Sequence, residues 1–309
     1  MKTLLLRTGI FLATLLGVVL GVEGLLLLAP GDAIDMLPNS EQLRPILAAE
    51  WGLDLPPGAR LSMRLGKILS GDLGTSLTYR PGAMVSELLV AAGERSLLLL
   101  LPALLLSIGS GLLLAALTVR RGPGARLLIR LLSVTPSFLA AFLLVSGINL
   151  LCWQLIQADV IARPAWFALP DEDSPLRSAL AIVILAYASG TLSEVHMACE
   201  HALRSILDAP YILALRARGA PVLPSILRNL LPELATVVAG RTGVLLSGLV
   251  VVEKLLLLNG AGAMLWQACR LRDHPLAEGL ALGAAVLVCS SRLLADVLRI
   301  QFDPRLRVI

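Results

Sequence analysis

Apolar residues gather in about six runs, roughly 6–29, 96–118, 131–157, 178–198, 233–257 and 278–300, with charges and prolines concentrated between them. About 20 apolar residues let a helix cross the hydrocarbon of a bilayer, where only a helix or a closed barrel satisfies its own backbone. None of the runs has the ten-residue alternation of a barrel strand. The pattern predicts an all-α integral membrane protein of about six transmembrane helices. Lys2 and Arg7 ahead of the first run also suit a signal peptide, but that run is long for a signal core and Pro30-Gly31-Asp32 is not a small-x-small cleavage site. It is expected to stay as an anchor, with Glu23 close enough to its Pro30 end to reach the interface or a neighbouring helix.

Lys and Arg near segment ends mark the cytoplasmic side. Arg120, Arg121, Arg126 and Arg130 crowd one connection, Arg204, Arg216, Arg218 and Arg228 another, and Arg299, Arg305 and Arg307 the C-terminal end. Both termini are therefore expected inside. The domains read as 1–30, an N-terminal transmembrane helix; 31–95, an extracytoplasmic subdomain of mixed charge with helical pieces near 40–51 and 58–70; and 96–309, a core of five transmembrane helices. The connection 158–177, with Asp159, Asp171, Glu172 and Asp173, is external on the same argument.

Composition agrees with a lipid solvent: 57% of the 309 residues are hydrophobic and 16% charged, with mean hydropathy +0.83, against about 45–50% and 25% in soluble domains. The net charge of +4 is dispersed between apolar runs instead of gathered on one face, so no nucleic-acid partner is implied. Cys152, Cys199, Cys269 and Cys289 have no paired spacing and read as packing residues. His196 and His201 are five apart, about 140° around a helix, a poor pair of metal ligands. No metal site is expected.

The stretch 200–232 carries more information. Leu203, Ile206, Leu207, Tyr211 and Leu215 recur at helical spacing, Gly219-Ala220-Pro221 breaks the helix, and Pro224 and Pro232 bracket a further helical turn. It reads as a helix–turn–helix against the cytoplasmic face, shaped to be gripped by a soluble partner. The run Tyr211-Ile-Leu-Ala214-Leu-Arg216-Ala217-Arg218-Gly219, then Leu227-Arg228-Asn229-Leu-Leu-Pro232, resembles the coupling loop, or EAA loop, of permeases in ABC importers for dipeptides, oligopeptides and nickel. Further stretches resemble that family in its order: Gly71-Asp72-Leu73-Gly74-Thr75-Ser76; Arg120-Arg121-Gly122; Pro136-Ser137-Phe138; Val251-Val252-Glu253; Gly260-x-Gly262; Arg272-Asp273-x-Pro275; and Asp303-Pro304-Arg305-Leu306-Arg307. The loop departs from the family at Pro210, Leu213 and Leu215, and is about five residues short between Gly219 and Arg228.

The resemblance implies the type I ABC importer permease fold and import across the inner membrane of peptides, nickel or a metal complex. It also implies a second homologous permease subunit, two ABC ATPase subunits and an extracytoplasmic solute-binding protein as partners. The chain has no Gly-x-x-x-x-Gly-Lys-Ser/Thr run to cradle phosphates, so ATP is used by the partner subunits and this chain binds no cofactor and is not an enzyme. In the loop, Gly219 would supply a positive φ, Tyr211 an aromatic anchor, and Arg216 and Arg218 charge-assisted hydrogen bonds or simply topological charge. Pro136 would kink or start the third span, and Glu253 would pair locally with Lys254 or face a partner. A membrane enzyme would need convergent His, Asp, Glu or Cys at one membrane face, and a secondary transporter midplane charges or broken helices; the spans read as nearly free of charge.

Overall fold

The computed structural model describes residues 2–28, 33–36, 40–50, 54–121, 137–160 and 175–302. Eleven α-helices are described: α1 Lys2–Leu28, α2 Ser40–Glu50, α3 Pro57–Leu69, α4 Val85–Arg121, α5 Ser137–Gln157, α6 Pro175–Ala188, α7 Thr191–Leu207, α8 Pro210–Ala217, α9 Leu223–Leu255, α10 Ala261–Arg270 and α11 His274–Phe302. Extended pairing among the described residues is limited to one antiparallel bridge, Thr75 with Met84. Four helices, α4, α5, α9 and α11, are long and apolar enough to cross a bilayer, and α6 with α7 makes a fifth if the bent pair counts as one span. In α1 the apolar stretch Thr8–Val22 is shorter. The expected helical pieces near 40–51 and 58–70 appear as α2 and α3.

Three features depart from the sequence reading. The fourth run, expected as one span over 178–198, breaks at Ser189-Gly190, where α6 and α7 meet at 47° and Gly190 adopts φ 74. The amphipathic helix expected through 200–218 is interrupted at Asp208-Ala209, because Pro210 holds Ala209 extended at φ −71 and ψ 137. Pro232 ends nothing: α9 runs through it for 33 residues, and Thr236 Oγ1 donates to the Pro232 carbonyl at 2.9 Å. Proline removes one bond of the ladder, the one to the Arg228 carbonyl, and buried Leu230 beside it packs α9 onto its neighbours.

The chain forms two compact units. One comprises Met1–Ser96 with Asn259–Cys289. Its core joins Val85 and Leu88 of α4 to Ala268 of α10 and Leu276, Ala277 and Leu280 of α11. The approach there is close: a Cβ on Gly279 would stand 2.4 Å from Val85 Cγ1. Where α10 begins, the Ala261 N–H donates to Ser96 Oγ at 2.8 Å.

The other unit comprises Leu97–Leu258 with Ser290–Ile309. Ala103 of α4, Ala141 of α5 and Ala181, Leu185 and Ala186 of α6 pack with Leu249 and Val252 of α9, and a second cluster joins Ala115, Val195, Cys199 and Leu230. Lipid tails are as apolar as leucine, so these helices gain little by hiding leucines from them; small residues that let backbones approach take the seams. Ser107 Oγ adds a bond to the Ala186 carbonyl at 2.8 Å. By contrast α5 is only 6% buried along its apolar window, with Phe142, Leu150 and Trp153 exposed, a surface suited to lipid.

Candidate functional site

The stretch 200–232 that the sequence singled out opens on the last turns of α7 and runs on past its end. Pro210 opens α8 at a position whose N–H has no helical partner to lose. Eight residues later the helix closes on Arg218. The Gly219 N–H donates to the Arg216 carbonyl at 3.0 Å and the Ala220 N–H to the Leu215 carbonyl at 3.0 Å, with Gly219 at φ +66. These are the paired bonds of a Schellman cap, which needs a left-handed residue at that point. The space around Gly219 is open, with nothing within 4 Å of a built Cβ. Its requirement is backbone conformation alone.

Ile212, fully buried, pegs α8 to the unit. Asn229 of α9 ties the two helices: its Nδ2 donates to Tyr211 Oη at 3.2 Å and to the Ser225 carbonyl at 2.8 Å. The rest of the segment faces outward. Leu213 is 62% and Leu223 64% exposed, with Tyr211, Leu227 and Leu231 also exposed, and so are Ala214, Arg216, Ala217, Arg218 and Arg228. A short rigid helix with apolar tips flanked by guanidinium groups is a ready insert for a groove on another protein.

The second constellation brings together two stretches almost 200 residues apart in sequence. Gly71 at φ 82 ends α3, with the Asp72 N–H donating to the Lys67 carbonyl at 2.9 Å. Asp72 Oδ1 accepts the Gly74 N–H at 2.8 Å, and Gly74 turns at φ 79. That turn delivers Ser76 to Asp273. The fully buried Asp273 carboxylate accepts Ser76 Oγ at 2.6 Å and the N–H groups of Leu77, Thr78 and Tyr79 at 3.0 Å each, all through Oδ2. Thr78 Oγ1 donates to the Leu271 carbonyl at 2.9 Å. Four donors on one carboxylate oxygen replace the hydration a buried charge loses. Nearby, Arg64 Nε donates to the nearly buried Glu278 at 2.6 Å, and Arg272 reaches Asp35 at 3.1 Å. This is a structural clasp, with every donor on Oδ2 spent on holding the turn.

Gly260 and Gly262 lie at the start of α10, both buried, and Pro275 opens α11 beside Gly74. Glu253 is fully buried, not at an exposed helix end beside Lys254 as a local interfacial pair would require. Pro136, Asp303 and Pro304 fall outside the described residues. The four cysteines are free thiols.

Sequence reasoning missed Glu194 and Arg241 inside the fourth and fifth runs and the polar contacts that His196, Glu200 and Arg204 make beside them. Arg241, within α9, donates through Nη2 to the Ser189 carbonyl at the α6–α7 break, and its Nη1 lies 3.8 Å from Glu194 Oε1. Buried His196 meets Thr118 Oγ1 at 3.1 Å, and one turn on, Glu200 bonds Arg204 at 2.9 Å. Arg241 is the one charge between Glu233 and Glu253 in α9, so no local pattern marks its partner; only the break, foreshadowed by Ser189-Gly190, gave a signal.

A family model described as a binding-protein-dependent transport system inner membrane component matches residues 103–308. A putative peptide permease protein of Brucella suis biovar 1 is 27% identical over 98% of both chains. The di/tripeptide transport system permease protein DppB of Pseudomonas aeruginosa is 27% identical over 97% of both. The oligopeptide transport system permease protein AppB of Bacillus subtilis is 25% identical, again over 97% of both.

Proposed function

Because the chain belongs to the family of binding-protein-dependent transport system inner membrane components, matched over two thirds of its length, we propose that it forms the path by which peptides enter through the inner membrane, driven by separate ATPases. It is a permease subunit and not an enzyme. Peptides are favoured as cargo because relatives aligned along the whole chain are named for them.

The finer reading goes further. α1 serves as a sixth span, both termini face the cytoplasm, and 31–95 forms an extracytoplasmic subdomain ahead of the 96–309 core. A solute-binding protein delivers cargo on that outer side, and a second, homologous permease subunit completes the path. The segment 200–232 meets the ATPases. The observation that carries this reading is the capped α8, pegged by Ile212 and tied by Tyr211–Asn229, with its apolar and cationic tips unburied. ATP-driven closure of the ATPases would move α8 and, with it, the continuous helix α9; such differential contact in two states is what coupling requires.

The test is uptake of a labelled dipeptide into proteoliposomes that hold this chain with its partner permease, the ATPases and a peptide-binding protein. Uptake that needs both ATP and the binding protein supports the reading. Uptake unaffected by an inactive ATPase, or driven by a proton gradient alone, would reject it.

A further inference from the structure

The pair formed by Glu194 and Arg241 lies where charge is expensive. With the C-terminal end of α9 at the outer surface, as the functional reading has it, Arg241 is about 21 Å inward from Leu255 along a helix rising 1.5 Å per residue. That is inside a hydrocarbon layer about 30 Å thick. The side chain of Arg241 is 20% exposed and that of Glu194, held at the same depth, 51%. A carboxylate half open at this depth faces water or protein, because facing lipid is costly.

The rest of α7 shows which way that opening runs. Its buried face mixes Leu192, Val195, Cys199 and Ile206 with Ser193, His196 and Glu200. Its exposed face carries Glu194, Met197, His201 and Ser205, continuing to Asp208 beside α8. At membrane depth Glu194 shares this face with Met197, and the positions i+7, i+11 and i+14 continue it in polar residues toward the coupling segment.

Arg241 is committed inward: Nη2 holds the Ser189 carbonyl freed by the helix break, and Nε is enclosed without a hydrogen bond among the described residues. At 3.8 Å its remaining nitrogen steadies Glu194 without a direct bond. The open pole of the pair is therefore negative. We propose that this face of α7 lines the aqueous translocation path and that Glu194, positioned by Arg241, receives a primary ammonium group, the terminus of a linear peptide, as the cargo passes. The proposal rests on the permease reading and adds the residue and the charge that the path presents.

Two measurements on the assembled transporter test it. In a chain whose native cysteines are replaced by alanine, Glu194→Cys and His201→Cys should react with a charged methanethiosulfonate, while Phe142→Cys and Leu150→Cys on α5 should not. In proteoliposomes at saturating binding protein, Glu194→Gln should raise the KM for labelled Ala-Ala about tenfold, the worth of one hydrogen bond to a charged group, with a smaller change in maximal uptake, and Glu194→Asp should recover most of the loss. Unreactive Glu194→Cys, whether lipid-facing or sealed against a second subunit, overturns the proposal. So does wild-type KM in Glu194→Gln. Absence of ATP-dependent uptake in the wild-type transporter would instead reject the permease reading itself.

Discussion

Replacing Gly219 tests the link between backbone conformation and ATP coupling. At φ +66 an L residue pays about 1–2 kcal/mol, more when β-branched, while Asn tolerates the region. The Cβ itself would clash with nothing within 4 Å, so conformation is the whole effect. Strain of about 1–2 kcal/mol corresponds to a factor of about 5–30 in an equilibrium, here between the capped α8 and an unwound end. Gly219→Asn should stay close to wild type, Gly219→Ala should fall between, and Gly219→Val should lower ATPase association by that factor. The assay is co-purification of the ATPase subunits at matched membrane levels, with substrate-stimulated ATP hydrolysis in proteoliposomes. Since Gly219 touches neither the clasp nor the membrane seams, insertion should be unchanged. Wild-type coupling in Gly219→Val, or equal losses in Asn and Val, would refute the reasoning.

Ser76→Ala removes the 2.6 Å bond to buried Asp273 and should cost about 2 kcal/mol, read as a lower Tm in detergent and faster protease nicking within 71–80. Leu257 sits at φ 56 and is exposed, so Leu257→Gly should stabilise by about 1 kcal/mol, seen as a raised Tm. Gly279→Ala should destabilise by about 1–3 kcal/mol through Val85, and Val85→Ala in the same chain should recover more than half, measured by a double-mutant cycle of Tm values. An impermeant thiol label should reach cysteines placed at Ser40 and Asp171 from outside and at Gly124 and Ser225 only from inside; outside labelling at Ser225 would remove the coupling assignment.

The helical class was legible because lipid imposes one rule on every span, and long apolar runs report it directly. α2 and α3 were legible from local amphipathicity, and the α8 cap from Gly219-Ala220-Pro221. Pro224 and Pro232 read as brackets of a short helical turn ahead of the span, whereas α9 runs unbroken from Leu223 to Leu255, because a proline's cost depends on neighbours that a sequence window does not contain. The break before Pro210 follows from the extended bias of a residue that precedes proline, and the apolar spacing that runs through it masks it. Ser76 and Asp273 stood out as separate motif members, yet nothing local says that one closes on the other across 197 residues. The same holds for Arg241 and Ser189, whose meeting depends on how α9 crosses the α6–α7 break.

The continuity of α9 has a mechanical consequence. Its 33 residues make a bar about 50 Å long, with the Tyr211–Asn229 tie near one end and buried Glu253 near the other. Arg241 grips the neighbouring pair close to the middle and so marks a natural fulcrum. A lever pivoted there converts a tilt of about 5° into a stroke of about 2 Å at each tip, in opposite directions, given that length. One membrane face would open as the other shuts, without a relay of small rearrangements between them.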